Sequence, residues 1–253
     1  MCDSRKTMKP IKMVNIILSK DEIDKMDKKE KKRFIMFTCM IRDLNLLQKC
    51  LAYVSNEKPK EEPFVSANTT ISFFFLKTLL SKIHEMWFFV EENKVLEDYQ
   101  RYSQGLKESI DAIKNFFSDK KIKNMFSFIR NKFGFHYEYW NDVDDLIDEA
   151  IKPFPHFQAW LSSEDSTNEI FTSSNGVILK VIFTEMNKEG FLGDDKQNMN
   201  TLFDLALEGA RLFQEFSKRY LVEAFSITWE QKEEIEIKVP IISEVELPLI
   251  VTR

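Results

Sequence analysis

Apolar residues recur at helical spacing along most of the chain. From 21 to 55, Phe34, Met36, Phe37, Met40, Ile41, Leu44, Leu47, Leu51 and Val54 fall mostly three and four apart after a charged opening turn, which predicts a first long helix. Lys58-Pro59-Lys60-Glu61-Glu62-Pro63 breaks it. A second helix, from about 67 to 96, is apolar nearly all round in ISFFFLKTLLSKIHEMWFFV and is predicted to be central and buried. Lys77, Lys82, His84 and Glu85 interrupt that stretch, so it does not read as a membrane span. Ser103 is placed to cap a third helix through Ile110, Ile113 and Phe117.

Ser118 or Asp119 can cap a fourth helix, predicted over about 119–137, with Ile122, Met125, Phe126, Ile129 and Phe133 as its apolar stripe. Lys120, Lys123, Asn124, Ser127, Arg130, Asn131 and Gly134 occupy its polar side. A short helix is expected from Asn141-Asp142 through Leu146, Ile147 and Ala150, up to Pro153-Phe154-Pro155. Residues 162–175 read as loop, followed by helices at about 176–188 and 198–225 separated by GFLGDDKQN. The latter carries Leu202, Leu205, Leu212, Phe213, Phe216 and Tyr220. Only the tail, EIEIKVPIISEVELPLIV, alternates like strand, with Pro240 and Pro248 suited to an edge. The expected organisation is an N-terminal arm over 1–20, an all-α domain over 21–225 built from long antiparallel helices, and an extended β arm over 226–253.

With 253 residues, 43% of them hydrophobic, the chain can bury its own core without staples. Cys2, Cys39 and Cys50 are odd in number and widely spaced, which suits a reducing cytoplasm and suggests neither a disulfide framework nor a cysteine zinc site. Cys39 and Cys50, in apolar helical surroundings, are expected in the core. The short apolar run near the N-terminus fits neither a signal peptide nor a membrane anchor. A net charge of -5 argues against general coating of nucleic acid, yet the charge is polarised. Between 114 and 132 stand Lys114, Lys120, Lys121, Lys123, Arg130 and Lys132 against Asp119 alone; Glu138, Asp142, Asp144, Asp145, Asp148 and Glu149 follow.

The candidate chemistry sits where those two blocks meet, in FIRNKFGFHYEYW, residues 128–140. Arg130, Asn131 and His136 lie at the end of a patterned helix with a basic face, and histidine is scarce, three residues in the chain. Guanidinium suits phosphate, imidazole moves protons near neutral pH, and an amide can orient either. Phe135, Tyr137, Tyr139 and Trp140 offer stacking surfaces for unpaired bases. At about 100° per residue, positions six apart lie roughly 120° apart on a regular helix, so Arg130 and His136 would not meet on one. Either Gly134 loosens the last turn, or the pair is assembled across a dimer axis. A purely structural reading stands beside this: His136 as a cation near the helix C-terminus and Arg130 paired with Glu85 or Glu92.

The segment IRNKFGFHYEY resembles the motif of the HEPN superfamily: Arg, then usually Asn, Asp or His, a gap, then His, with four to six residues between Arg and His. Arg130, Asn131 and His136 match it with five between, and the order of helices from about 30 to 137 is similar to a HEPN core. The resemblance covers roughly the first 150 residues. It implies a HEPN-like bundle and a metal-independent endoribonuclease of a toxin, abortive-infection or other defence system, needing no cofactor. It also implies RNA as substrate and a homodimer in which two motifs share one cleft. Arg130, Asn131 and His136 would be catalytic, Lys123, Lys132, Tyr137 and Tyr139 would bind substrate, and Glu85 would support Arg130. An RNA- or nucleotide-binding module without turnover is the alternative. Another is a partner-regulated member of a toxin–antitoxin pair, silenced by an antitoxin or by a nucleotidyltransferase acting on Tyr137 or Tyr139.

Other constellations carry less. His84-Glu85 lacks the second histidine of a metalloprotease helix and reads as a satisfied histidine at the core edge; His156 reads as a loop or helix-start residue. The aspartates at 142–148 lack the glycine and closing glutamate of a calcium loop, and neither a phosphate-cradling glycine loop nor G-x-S-x-G is present.

Overall fold

The computed structural model describes residues 8–56, 59–92, 95–96, 98–134, 144–160, 170, 172–225 and 230–240. Its helices are α1 (Lys20–Lys25), α2 (Lys28–Asn56), α3 (Glu62–Glu92), α4 (Gln104–Ser118), α5 (Lys120–Ile129), α6 (Asp144–Ile151), α7 (Thr172–Lys188) and α8 (Asp195–Glu223). A π-helical turn, Arg130–Gly134, continues α5. Strands β1 (Met8–Ile17) and β2 (Glu230–Pro240) form the one sheet among the described residues. The chain is therefore all-α with a small two-stranded ribbon, and no helix among the described residues is long and apolar enough to cross a membrane.

Burial explains why α3 reads as apolar all round. It packs against α2, α5, the π turn, α7 and α8, and Leu76, Leu79, Leu80, Ile83, Met86 and Val90 are almost fully buried. Each such side chain stabilises the fold by roughly 1.5–3 kcal/mol. Rings fill the space around it. Phe37 of α2 stacks on Phe89 at 5.2 Å and meets Tyr220 of α8 edge-on at 4.8 Å, while Trp87 stacks on Phe117 of α4 at 4.7 Å. Gly209 lets α8 approach α3 closely, since a Cβ there would lie 3.0 Å from Ile83 Cγ2.

The structure corrects several expected boundaries. The first helix is two, because Asp27 and Glu30 form a capping box: Asp27 Oδ1 accepts from the Glu30 amide at 2.8 Å and Glu30 Oε2 from the Asp27 amide at 3.1 Å. Pro63 does not block α3. It lies in the first turn, where its missing N–H has no helical partner to lose. Helix α7 starts at Thr172 rather than 176, anchored where Ser173 Oγ accepts from the Gln158 amide at 2.7 Å. Helix α8 starts at Asp195 behind an Asp194–Gln197 capping box. Ser103 and Asp119 cap α4 and α5 as expected. Cys39, expected in the core, is exposed; it and half-buried Cys50 are free thiols.

The two terminal arms pair with one another. Strand β1, which the sequence reading left as an arm, runs antiparallel to β2 with Ile11 opposite Ile237 and Met13 opposite Ile235, and a bulge at Asn15/Ile16. Lys12 and Glu234 form an ion pair at 2.8 Å. Pro240 ends β2, and both strands are edges, where proline is tolerated. Pro248 lies outside the described residues.

Candidate functional site

Helix α5 is fixed by its cap and its apolar stripe. Asp119 Oδ1 accepts from the Lys121 amide at 2.9 Å, and Met125, Phe126, Ile129 and Phe133 are buried. Phe126 meets Phe117 edge-on at 5.6 Å, and Phe133 meets Phe128 at 5.8 Å. The helix leaves α geometry at Arg130, where the π turn begins. Such widened turns concentrate at functional sites. At its end Gly134 lies against α3: a Cβ there would stand 2.4 Å from Ser81 Oγ and 3.0 Å from Ser81 Cβ. Ser81 Oγ itself donates to the Lys77 carbonyl at 2.8 Å. The turn thus lies so close to Ser81 that a side chain at position 134 would collide with it. Gly134, counted on the polar side from the sequence, is a packing residue.

Arg130 is half-buried. Its Nη1 donates to Asn131 Oδ1 at 2.9 Å, and Asn131 Nδ2 donates to Ser127 Oγ at 3.2 Å. No described carboxylate forms an ion pair with Arg130, so the structural reading in which Glu85 or Glu92 neutralises it does not hold. Glu85 is bonded to Lys82 at 2.7 Å instead. It shares with Arg130 an open groove of about 250 Å³, whose other walls are Met36 and Met40 of α2 and Phe88, Phe89 and Glu92 of α3.

The basic face is not a free stripe. Lys123 Nζ lies 3.0 Å from Glu91 Oε1 and 5.6 Å from the centre of the Trp87 ring. Lys121 Nζ donates to the Gly190 carbonyl at 3.1 Å and Asn124 Nδ2 to Glu189 at 3.0 Å, so both bind the turn between α7 and α8. Lys132 is half-buried and has an interaction of its own. The guanidinium of Arg130 is the cation that lines the groove among the described residues. His136, Tyr137 and Tyr139, with Phe135 and Trp140, lie outside the described residues. So does Asp142; Asp144, Asp145 and Asp148 are exposed on or at the start of α6.

One residue behind the groove was misjudged from the sequence. His84 is 2% exposed, with Nδ1 enclosed and unpartnered, so it is not a satisfied histidine. Its ring lies against Phe88, centroids 5.0 Å apart. Burial, and then the positive charges of Arg130 and Lys123, push its pKa down to about 4. The signal available in sequence was its position in a helix apolar on every side. A neutral imidazole follows, with a consequence for stability. The unfolded chain takes up a proton near pH 6.5 and the folded chain only near 4, so this stability is present above 6.5 and lost as pH falls to 4. Relative to His84→Leu, the wild type is expected to lose up to about 3 kcal/mol across that window, read from urea unfolding at each pH. Parallel pH profiles for the two proteins would show that His84 titrates normally.

No protein-family model, no curated protein and no solved structure matches this chain.

Proposed function

We propose that the chain is a HEPN-type, metal-independent endoribonuclease acting as a homodimer. The observation that carries the reading is an arginine without a counter-ion among the described residues, at the first residue of a π turn and steered by its neighbouring asparagine, at the position the motif assigns to phosphate. A guanidinium already paired with a carboxylate would have to break that pair to take a phosphate. This one need only turn from an amide oxygen.

In the proposed reaction an RNA 2′-hydroxyl loses its proton to the imidazole of His136 and its oxygen attacks the adjacent phosphorus. Arg130 holds the charge that gathers on the non-bridging oxygens, with Asn131 aligning the guanidinium. The bond from phosphorus to the 5′-oxygen breaks, and that oxygen takes up a proton given back by the imidazolium. The products are a 2′,3′-cyclic phosphate and a 5′-hydroxyl, with no water consumed. Incubation of single-stranded RNA with the protein in excess EDTA is expected to give fragments with cyclic-phosphate ends. RNA left intact by protein confirmed to be dimeric would contradict the reading and favour the binding module.

A further inference from the structure

The groove beside Arg130 has the wrong chemistry for a second phosphate. Among the described residues its polar groups, apart from that guanidinium, are the carboxylates of Glu85 and Glu92, and its walls are apolar. It also lies at the C-terminal end of α3, which finishes at Glu92, where the helix dipole adds partial negative charge. A polyanion backbone is repelled from this recess. A base, which carries no formal charge and presents N–H donors, is not.

We infer that this groove is a nucleobase pocket for the nucleotide whose phosphate Arg130 holds, and that it selects guanine. The inference rests on the phosphate-binding role proposed for Arg130. At about 250 Å³ the recess is smaller than the roughly 300 Å³ at which pockets for drug-sized ligands begin, and suits one fused ring system. Phe88 is 45% exposed and Met36 41% exposed, large apolar side chains turned outward beside an arginine. They supply the ring face and the polarizable edge between which a base stacks.

The choice of base comes from Glu92. Glu85 is occupied by Lys82 at 2.7 Å, whereas Glu92 is exposed with no partner among the described residues. A carboxylate is an acceptor on both oxygens. Guanine sets two donors, N1–H and the 2-amino group, side by side on its Watson–Crick edge and meets that pair of acceptors directly. Adenine and cytosine place an acceptor nitrogen next to their amino group, and uracil flanks its single N–H with two carbonyls. Each would set an acceptor against the carboxylate, where an unmatched polar group weakens binding.

Titration calorimetry with the 3′- and 5′-monophosphates of the four ribonucleosides tests this without any cleavage. The guanosine nucleotide is expected to bind at least about 10-fold more tightly than the other three. Glu92→Gln is expected to erase that preference, and Phe88→Ala to weaken all four by about 10-fold. Equal affinities in the wild type, or a preference unchanged in Glu92→Gln, would overturn the inference. So would a Phe88→Ala protein that turns monomeric with nucleotide affinities unchanged, since the groove would then be a subunit face. Guanine preference in a protein that leaves RNA intact would sustain the pocket while removing the nuclease; cleavage without preference would do the reverse.

Discussion

Replacing Arg130 with alanine is expected to lower RNA cleavage by roughly 10²- to 10³-fold, the usual cost of removing a positioned stabiliser of transition-state charge. His136→Ala is expected to cost about 10²- to 10⁴-fold through loss of proton transfer. Arg130→Ala should not disturb folding much. The side-chain hydrogen bond that Arg130 makes runs to its neighbour Asn131, and the side chain is half-exposed, so its removal should change stability by about 1 kcal/mol or less. Single-turnover cleavage with helical content as control separates the readings. Full activity in Arg130→Ala, or collapse of the fold, would assign this arginine a structural role. Arg130→Lys is informative as well, because a point charge without the planar fork should recover only part of the rate.

A large effect on stability at neutral pH is expected at Gly134. A methyl group there would lie 2.4 Å from Ser81 Oγ and 3.0 Å from its Cβ, distances that force α3 and the π turn apart. Overpacking of this kind costs about 1–3 kcal/mol. Adding Ser81→Ala removes the closer contact and leaves the 3.0 Å one, so the double variant should recover part of the loss. The two substitutions are therefore expected to be non-additive by about 1 kcal/mol in urea unfolding. Gly134→Ala is also expected to reduce cleavage beyond its effect on stability, because the turn it displaces begins at Arg130. A Gly134→Ala protein as stable as wild type would mean that the helices are not pressed together at this point.

The helical class was legible because burial imposes a period, and the stripe Met125, Phe126, Ile129 and Phe133 came through as buried. Caps were legible where a lone Ser or Asp precedes an apolar run, as at Ser103 and Asp119. They were missed where charge hides them: Asp27-Lys28-Lys29-Glu30 looks like a solvated turn until the reciprocal hydrogen bonds are seen. Strand β1 escaped notice because its partner is more than 200 residues away, and Pro10 interrupts the pattern that β2 displays openly.

At the site, the sequence located Arg130 and Asn131 but misdescribed their surroundings. The basic face looked free because nothing local shows that Lys123 meets Glu91 or that Lys121 and Asn124 reach the turn at Glu189 and Gly190. Those neighbours are supplied by tertiary packing. For the same reason the basic face of α5 gave no hint that the groove beside Arg130 holds two carboxylates contributed by α3. His84 was only partly legible: the burial that chiefly lowers its basicity follows from a helix apolar on every side, whereas the further push from Arg130 and Lys123 comes from residues that only tertiary packing brings near.

Mixing two inactive variants tests the central claim most directly. Arg130→Ala and His136→Ala dimers, combined under conditions that exchange subunits, form hybrids in which one intact arginine and one intact histidine come from different chains. If those side chains converge on a single phosphodiester across the twofold axis, the mixture regains a substantial fraction of wild-type cleavage as hybrids accumulate. Hybrid dimers that form, yet cleave no faster than either parent, would contradict a shared site.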